Sequence, residues 1–290
     1  MSNSKVFDPE LIRRRRNRAA FAIPELDFLN QRSATDLAER LMLVKRDFTS
    51  VLDLGAQSGT VGRALKASGF RGQLLSLESA ERLAVTLPGL VVIGEADALP
   101  FANASFDLVV SGLWLQLIND LPGALIQIRR VLKPDGLLLA SLLAGDTLIE
   151  LKTAFTAAEA ETTGGASPHV APFPELRDLG QLLQRAGYAL PVADMETVTV
   201  TYASPFALMA ELRKAGVANP LVARAKRPLL RRTLTRMIEI YAERFSNPDG
   251  RVRATFEVAT VHGWAPHESQ QKPLKPGSAR MPLADALKSK

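Results

Sequence analysis

The sequence contains no cysteine and only three histidines. Without cysteine the chain forms no disulfide, no thiolate zinc site and no cysteine nucleophile, and this composition suits a reducing compartment. No apolar run reaches the roughly 20 residues that span a bilayer, and no signal-peptide pattern precedes the first predicted elements. We therefore expect a cytoplasmic protein. No His-x-Asp pair suggests an iron-binding facial triad, so we predict no metal site.

Aromatic residues are also scarce, at 6%, and the 36 Lys and Arg exceed the 30 Asp and Glu. Arginines concentrate in two stretches, residues 13–18 and 224–236. Two solvated helix faces would explain this pattern, and so would docking on an acidic protein partner or peripheral contact with an anionic membrane surface. Because no aromatic residue interleaves with these arginines, we predict no nucleic-acid partner.

The chain is long enough, at 290 residues with 47% apolar, for one substantial core. Short apolar segments alternate with helical patterns through the first half, which predicts a parallel, doubly wound α/β sheet. Two later strands separated by helices predict an antiparallel edge. The late helices are expected at 146–160, 176–186, 205–215 and 220–245, and the late strands at 192–202 and 254–264.

One stretch, residues 51–60, organises this pattern. A short apolar run ends at Asp53, and a turn containing Gly55 and Gly59 then opens into a helical pattern. Backbone N–H groups and the helix dipole collect at such a helix N-terminus, and glycine lets a ligand approach the backbone closely. The spacing does not fit the dinucleotide fingerprint G-x-G-x-x-G, and an ordinary strand–helix turn would also hold glycines.

The same loop resembles that of class I S-adenosylmethionine (SAM) methyltransferases, D-x-G-x-G-x-G. Asp53, Gly55 and Gly59 match this pattern, while Gln57 stands at the middle glycine position. A side chain there intrudes where the backbone passes close to the cofactor, and any positive φ would cost roughly 1–2 kcal/mol. The resemblance implies that SAM is the cofactor and that these four residues contact it.

Further polar residues follow the next predicted strands. Glu78 ends the second strand, 19 residues after Gly59, where a carboxylate can accept both hydroxyls of a ribose. Asp97 and Ala98 follow the third strand, at the expected adenine position, and Ser111 ends the fourth strand beside the methionine part. All lie at carboxyl ends of strands, where open α/β sheets bind ligands. Any single acid at such a position is more often a cap or a solvated charge.

Several motifs are typical of this superfamily and also occur in the malonyl-acyl-carrier-protein methyltransferase of biotin synthesis: D-A-L-P-F at 97–101, S-F-D-L-V-V-S at 105–111 and R-V-L-K-P-D-G at 130–136. Other motifs, outside the cofactor core, resemble the family of mitochondrial complex I assembly factor 5. They are F-D at 7–8, N-D-L-P at 119–122, G-D-T-L at 145–148, G-G-A-S-P-H at 164–169, P-F at 172–173, D-L-G at 178–180 and H-E-S-Q at 267–270.

This second resemblance runs over nearly the whole chain and implies its organisation. Residues 1–45 would form an N-terminal helical segment and residues 46–265 a SAM-binding domain. That domain would hold a Rossmann-like seven-stranded class I methyltransferase sheet. A helical lid at about 203–250 would be inserted before the last strand, and residues 266–290 would form a flexible tail.

The resemblance also implies a function: an enzyme that modifies a protein side chain, an arginine of a respiratory complex I subunit, during assembly at the inner membrane. Asp146 and His169 would act on the substrate side, although His169 could equally be an ordinary loop histidine. Hydroxylation needs an oxidant, whereas methyl transfer needs only positioning and desolvation. Two alternatives stay open: a methyltransferase for a small acid or an acyl-carrier-protein thioester, and a non-catalytic assembly chaperone.

Overall fold

The computed structural model describes residues 5–20 and 28–271. Within these ranges the chain forms nine α-helices and seven β-strands. In chain order they are α1 (Pro9–Ala19), α2 (Phe28–Leu43), β1 (Ser50–Leu54), α3 (Thr60–Ala67), β2 (Gln73–Glu78), α4 (Glu81–Ala84), β3 (Leu90–Ile93), β4 (Phe106–Gly112), α5 (Leu121–Val131), β5 (Leu132–Ala144), α6 (Ile149–Thr163), α7 (Leu176–Arg185), β6 (Ala189–Tyr202), α8 (Pro205–Lys214), α9 (Arg231–Phe245) and β7 (Val252–Trp264).

The strands form one sheet in the order β3-β2-β1-β4-β5-β7-β6. The first five strands in this order are parallel, and β7 runs antiparallel to both β5 and β6. This is the class I methyltransferase order, so the predicted fold class is confirmed. The chain order reverses beside β1, and open α/β sheets bind ligands at such a switch point.

Helices cover both faces of β1, which explains why Val51, Leu52 and Leu54 are all apolar although they point to opposite faces. Val51 packs into a cluster with α2 and α3 on one face. Leu52 and Leu54 point to the opposite face and pack with α5 and α7. Because both faces are buried, the register of β1 against β2 is fixed. The carboxyl end of β1 therefore lies directly beside the carboxyl end of β2.

The second half of the chain builds a separate apolar cluster against the β6–β7 hairpin. Helices α6, α8 and α9 contribute to it, with Met237 and Tyr241 of α9 fully buried. Helices α8 and α9 lie between β6 and β7 in the chain. The predicted helical insertion before the last strand is therefore confirmed.

Two helices start later in the chain than expected. The helix predicted to start at Pro220 starts at Arg231, and Leu230, just before it, is 45% exposed. Pro228 disfavours a helix over the preceding residues. Residues 220–222 instead bond residues 6–8, with Asp8 N 2.9 Å from the carbonyl oxygen of Pro220. Helix α6 starts at Ile149 rather than at Asp146, after a turn whose last residue, Leu148, has φ 58°.

The two arginine-rich stretches are not uniformly solvated. Arg16 is buried, at 4% exposed, and Arg224 pairs with Asp8 at 3.2 Å. Arg236 contacts three glutamates of α6 and α9: Glu161, Glu239 and Glu243. Exposed arginines remain at the start of α9, at positions 231 and 232.

Within the described residues, no helix is both long and apolar enough to cross a membrane. Of the expected tail, residues 266–271 are described, and Gln270 bonds the side chain of Asp135 and the carbonyl oxygen of Ala265, each at 2.9 Å. Residues 272–290 lie outside the described part of the chain.

Candidate functional site

The loop between β1 and α3 requires both of its glycines. Gly55 and Gly59 have φ values of 69° and 77°, a region that side chains disfavour. The indole of Trp114 packs directly on Gly55, since a Cβ on Gly55 would lie 2.1 Å from Trp114 Cδ1. The amide of Gly55 donates to the carbonyl oxygen of Leu77, which ties the loop to the end of β2. Backbone and tryptophan therefore meet here without an intervening side chain.

Glu78, at the end of β2, is fully buried and accepts three hydrogen bonds. Its Oε1 accepts from the amide of Ala80 at 2.9 Å. Its Oε2 accepts from the amide of Gln57 at 2.9 Å and from Nη2 of Arg16 at 2.7 Å. The Arg16 guanidinium also lies 3.9 Å from the ring centroid of Trp114. The carboxylate predicted to bind a ribose therefore pairs with an arginine of the same chain.

Asp53, at the end of β1, is fully buried, and neither carboxylate oxygen makes a hydrogen bond of normal geometry. Burial, and after it the negative charge of Glu78, raises the pKa of Asp53 to about 7, and the backbone N–H of Gly62 offsets this only in part. A buried carboxyl without a partner is more stable neutral than charged. Asp53 and Glu78 therefore lie close together but in different environments.

The side chain of Gln57 extends from the glycine loop toward the end of β4 and helix α2. Its φ is 52°, the positive value considered from the sequence. Its Nε2 donates to the carbonyl oxygens of Gly112 at 2.7 Å and Leu113 at 3.2 Å. Asn30 donates to its Oε1 at 3.3 Å. The glutamine amide therefore bridges the loop, the end of β4 and helix α2.

The remaining predicted cofactor residues lie around this centre. Asp97 and Ala98 are exposed in the turn after β3. The N–H of Ala98 donates within that turn to the carbonyl oxygen of Glu95 at 3.3 Å. Ser111 is fully buried between strands, and its hydroxyl donates to the carbonyl oxygen of Leu54 at 2.8 Å. The structure thus brings Asp53, Gln57 and Glu78 together, while Ser111 supports the strand end from behind.

A cavity of about 350 Å³ adjoins Gln57 and Leu113 on the side of the late helices. Its wall is mostly apolar, and it is built by α2, the start of α6, the loop before α7 and the end of α8. Its apolar lining includes Phe28, Leu29, Leu148, Leu151, Phe155 and Met209. The cavity therefore adjoins the predicted cofactor loop at its middle residue, Gln57.

His169 contributes a polar group to this cavity. Its ring stacks on Phe155, with centroids 3.9 Å apart and planes at 11°. Its Nε2 lies 3.0 Å from Oε1 of Glu159, a buried residue whose carboxylate also accepts from the hydroxyl and the amide of Ser167. Glu159 and Phe155 therefore fix the plane and the position of the imidazole.

Asp146 does not share this location. It lies exposed in the turn after β5, where its amide donates to Oε2 of Glu257 at 2.8 Å, and it does not line the cavity. The two residues predicted for the substrate side are therefore not brought together in the cavity wall. Across the described part of the chain, His, Asp and Glu side chains form no group of three suited to a metal ion.

Comparisons with known proteins agree with this arrangement. A methyltransferase domain model matches residues 52–140, which run from β1 into β5. The arginine-hydroxylase NDUFAF5 of rat mitochondria is 37% identical, over 97% of this chain and 83% of its own length. The human protein of the same name gives the same identity and coverage. The match includes the glycine loop, the cavity and the late helices.

The chain belongs to the NDUFAF5 family.

A malonyl-[acyl-carrier protein] O-methyltransferase of Gallionella capsiferriformans is also similar, at 32% identity over 91% of this chain and 93% of that one. Two solved structures share the fold, each with a TM-score of 0.55. They are YcgJ of Bacillus subtilis, 14% identical over 80% of this chain and 98% of that one, and a candidate methyltransferase of Bacillus halodurans, 15% identical over 80% and 99%. The chain is thus a methyltransferase-like enzyme, in a group that contains a hydroxylase and a transferase.

Two residues of this NDUFAF5-family site, Arg16 and Glu159, did not emerge from the sequence. Arg16 follows Ile12 by four positions, so it lies on the apolar side of α1. Glu159 follows Phe155 by four positions and therefore shares the buried side of α6. This spacing on an apolar helix face is the signal that could have identified both, since a charged residue there needs a buried partner.

For this NDUFAF5-family chain we predict that Asp53→Asn changes how stability depends on pH. The folded-state pKa of Asp53, about 7, lies above the unfolded value of about 3.9. Between these values the folded state keeps a proton that the unfolded state releases, so wild-type stability falls as pH rises from about 4 to about 7. Relative to wild type, the variant should gain about 2–3 kcal/mol in free energy of unfolding from pH 5 to pH 8, at about 1.4 kcal/mol per pKa unit.

Urea unfolding at both pH values measures this difference. Asp97→Asn is the matched control, because Asp97 also follows a strand of the sheet, β3, but is exposed. Parallel pH curves for wild type and Asp53→Asn would contradict the prediction.

Proposed function

We propose that this chain binds SAM at the glycine loop and modifies an arginine side chain of a respiratory complex I subunit during assembly of the complex. The observation that carries the proposal is the cavity, which adjoins Gln57 in the middle of the loop and presents His169. Similarity to an arginine-hydroxylase over nearly the whole chain supports the choice of arginine. The exposed arginines at 231 and 232 suit an acidic protein surface as the docking partner.

The polar groups at the loop suit SAM. Glu78 would accept the ribose hydroxyls, as its position at the end of β2 implies. The loop from Gly55 to Gly59, at the N-terminus of α3, would hold the amino-acid part, and Asp97 and Ala98 the adenine. The side chains of Arg16 and Trp114 occupy the space beside Glu78, so they would have to move. Bound SAM supplies a methyl group on a sulfonium.

His169 would handle a proton at the substrate. The bonds that Glu159 accepts from Ser167 and His169 outweigh its burial and hold the pKa of Glu159 below its usual range, so it is a carboxylate near neutral pH. A carboxylate accepts only, so the neutral imidazole donates from Nε2–H and keeps its lone pair on Nδ1. His169 can therefore take a proton at Nδ1 while Glu159 stabilises the resulting charge.

The two named activities differ in what they need. Converting a C–H bond to C–OH takes one oxygen atom from dioxygen and two electrons from a reductant, neither of which these residues supply. Methyl transfer would need only the sulfonium and a nucleophile in the cavity. One observation favours the second candidate, a methyltransferase acting on a carrier-protein thioester: the mostly apolar cavity wall suits an acyl chain.

Mass spectrometry of complex I subunits from a strain that lacks this gene tests the proposal. We expect one arginine-containing peptide to lose 16 Da relative to wild type, because one oxygen is missing, and complementation to restore the mass. Loss of 14 Da, on the subunits or on a carrier-bound acyl group, would support methyl transfer instead. Unchanged masses throughout would overturn the proposed activity and favour an assembly chaperone.

We predict that Gln57→Gly tightens SAM binding about tenfold, or about 1.4 kcal/mol. Glycine adopts the positive φ without the strain that a Cβ causes, and it leaves empty the space that the glutamine amide occupies. Isothermal calorimetry on purified protein measures the dissociation constant. Gln57→Ala is the matched control, since it removes the amide but keeps a Cβ at the same φ, and it should gain less. Absence of measurable binding at millimolar SAM in all three proteins would remove SAM from the proposal.

We also predict that Glu159→Gln lowers the turnover number of the modification reaction about tenfold or more, because a neutral amide stabilises imidazolium poorly. KM for the protein substrate and the melting temperature should change little, because glutamine can still accept a hydrogen bond. Glu161→Gln is the matched control on the same helix, where Glu161 pairs with Arg236 at the surface. A large fall in melting temperature with unchanged turnover would assign Glu159 a purely structural role.

A further inference from the structure

Helix α1 occupies the predicted nucleoside site from within the same chain. Arg16 is 4% exposed and reaches Oε2 of Glu78 at 2.7 Å. Its guanidinium lies over Trp114, and Trp114 in turn lies on Gly55. The cavity beside Arg16 and Trp114 measures only about 30 Å³. This is room for a water molecule or two and far too little for a nucleoside.

Helix α1 is held mostly by contacts that water can replace. Its buried apolar residues are few, and they are Leu11, Ile12 and Ala19. Asn17 bonds Oε2 of Glu81 at 2.7 Å and the amide of Arg82 at 2.9 Å, both in exposed positions. Water can replace such bonds at little net cost. Segments with few buried apolar contacts open at lower free energy than the core.

The buried ion pair is itself imperfectly satisfied. Nη1 of Arg16 has no hydrogen-bond partner, although it is fully buried. An ion pair taken out of water recovers its desolvation cost only when its remaining donors are satisfied. Ribose hydroxyls can replace the guanidinium at Glu78, because they donate to the same carboxylate. Arg16 would regain water on leaving.

We propose that α1 is an internal competitor for the cofactor site, in which Arg16 closes the site by binding Glu78 and SAM binds only after α1 withdraws. This inference rests on the proposed function, because it takes SAM as the ligand that displaces Arg16. The affinity for SAM is then lower than the intrinsic affinity by the fraction of molecules in which α1 has withdrawn. Weakening closure raises that fraction.

The same movement connects the cofactor site to the cavity. Arg15 donates to the carbonyl oxygen of Asn219 at 2.7 Å, and the amide of Asp8 donates to Pro220. Residues 217–220 also line the cavity of about 350 Å³ that contains His169. Withdrawal of α1 therefore releases part of the cavity wall, so SAM entry opens the substrate side.

Calorimetry with SAM on Arg16→Gln tests the competitor. Leaving Glu78 buried without its cation disfavours the closed form. We expect the dissociation constant to fall about tenfold relative to wild type. Arg14→Gln is the matched control, because it removes the same charge from an exposed position on the same helix and should bind like wild type. A thermal melt verifies that each variant is folded.

A second variant tests closure without touching Arg16 or Glu78. The chain has no cysteine, so the pair Asn17→Cys with Arg82→Cys adds the sole thiols, at positions where α1 meets α4. Oxidised to a disulfide, this protein should bind SAM at least tenfold more weakly than when reduced. The reduced form is its own control. Trp114 emission, measured with Trp264→Phe in the background, should shift on SAM addition only in the reduced form.

The outcomes separate the two proposals. Tighter binding in Arg16→Gln together with weaker binding in the oxidised pair supports the internal competitor. Equal SAM affinity in wild type, Arg16→Gln and the oxidised pair overturns it and leaves the SAM site intact. Lack of SAM binding in every form, Arg16→Gln included, overturns SAM binding itself and the competitor with it.

Discussion

Two carboxylates are buried at the ends of neighbouring strands, and their burial governs how the loop and helix α1 pack around them. Asp53 and Glu78 are both fully buried. Charged groups in such a position need partners, and the chain provides them for only one of the two. Glu78 receives two amides and a guanidinium, whereas burial and the charge of Glu78 raise the pKa of Asp53 to about 7. Helix α1, which supplies the guanidinium of Arg16, therefore packs over the site.

The neighbouring glycine loop explains why the protein tolerates the free-energy cost of burying Asp53 and Glu78. Trp114 lies directly on Gly55, and Gln57 adopts a positive φ to bond the end of β4. Local strain of this kind persists where the surrounding structure enforces it, and it concentrates at ligand sites. The glycine loop and the cavity meet at Gln57, so one side chain lies between the predicted cofactor position and the predicted substrate position.

The comparisons with relatives give different information about the sheet and about the cavity. The methyltransferase domain model covers β1 to β5, which many enzymes share, so it identifies a binding scaffold rather than a reaction. The similarity to the arginine-hydroxylase extends through the late helices that line the cavity. The O-methyltransferase matches 91% of the chain as well, so this second region, where Glu159 fixes His169, is common to relatives with different reactions.

The sheet could be predicted from the sequence, because apolar runs buried on both faces and the turns after them have local signatures. Asp53, Gly55, Gly59 and Glu78 could be located from the same signatures, each at a strand end or in the turn that follows. The sequence failed where a contact joins distant segments. Arg16 reaches Glu78 across 62 residues, and the stretch after Pro220 bonds residues 6–8 instead of forming a helix. The pairing of an arginine of α1 with the predicted ribose carboxylate is visible only in the folded chain, because burial of that charge depends on its partner and not on its neighbours in the sequence.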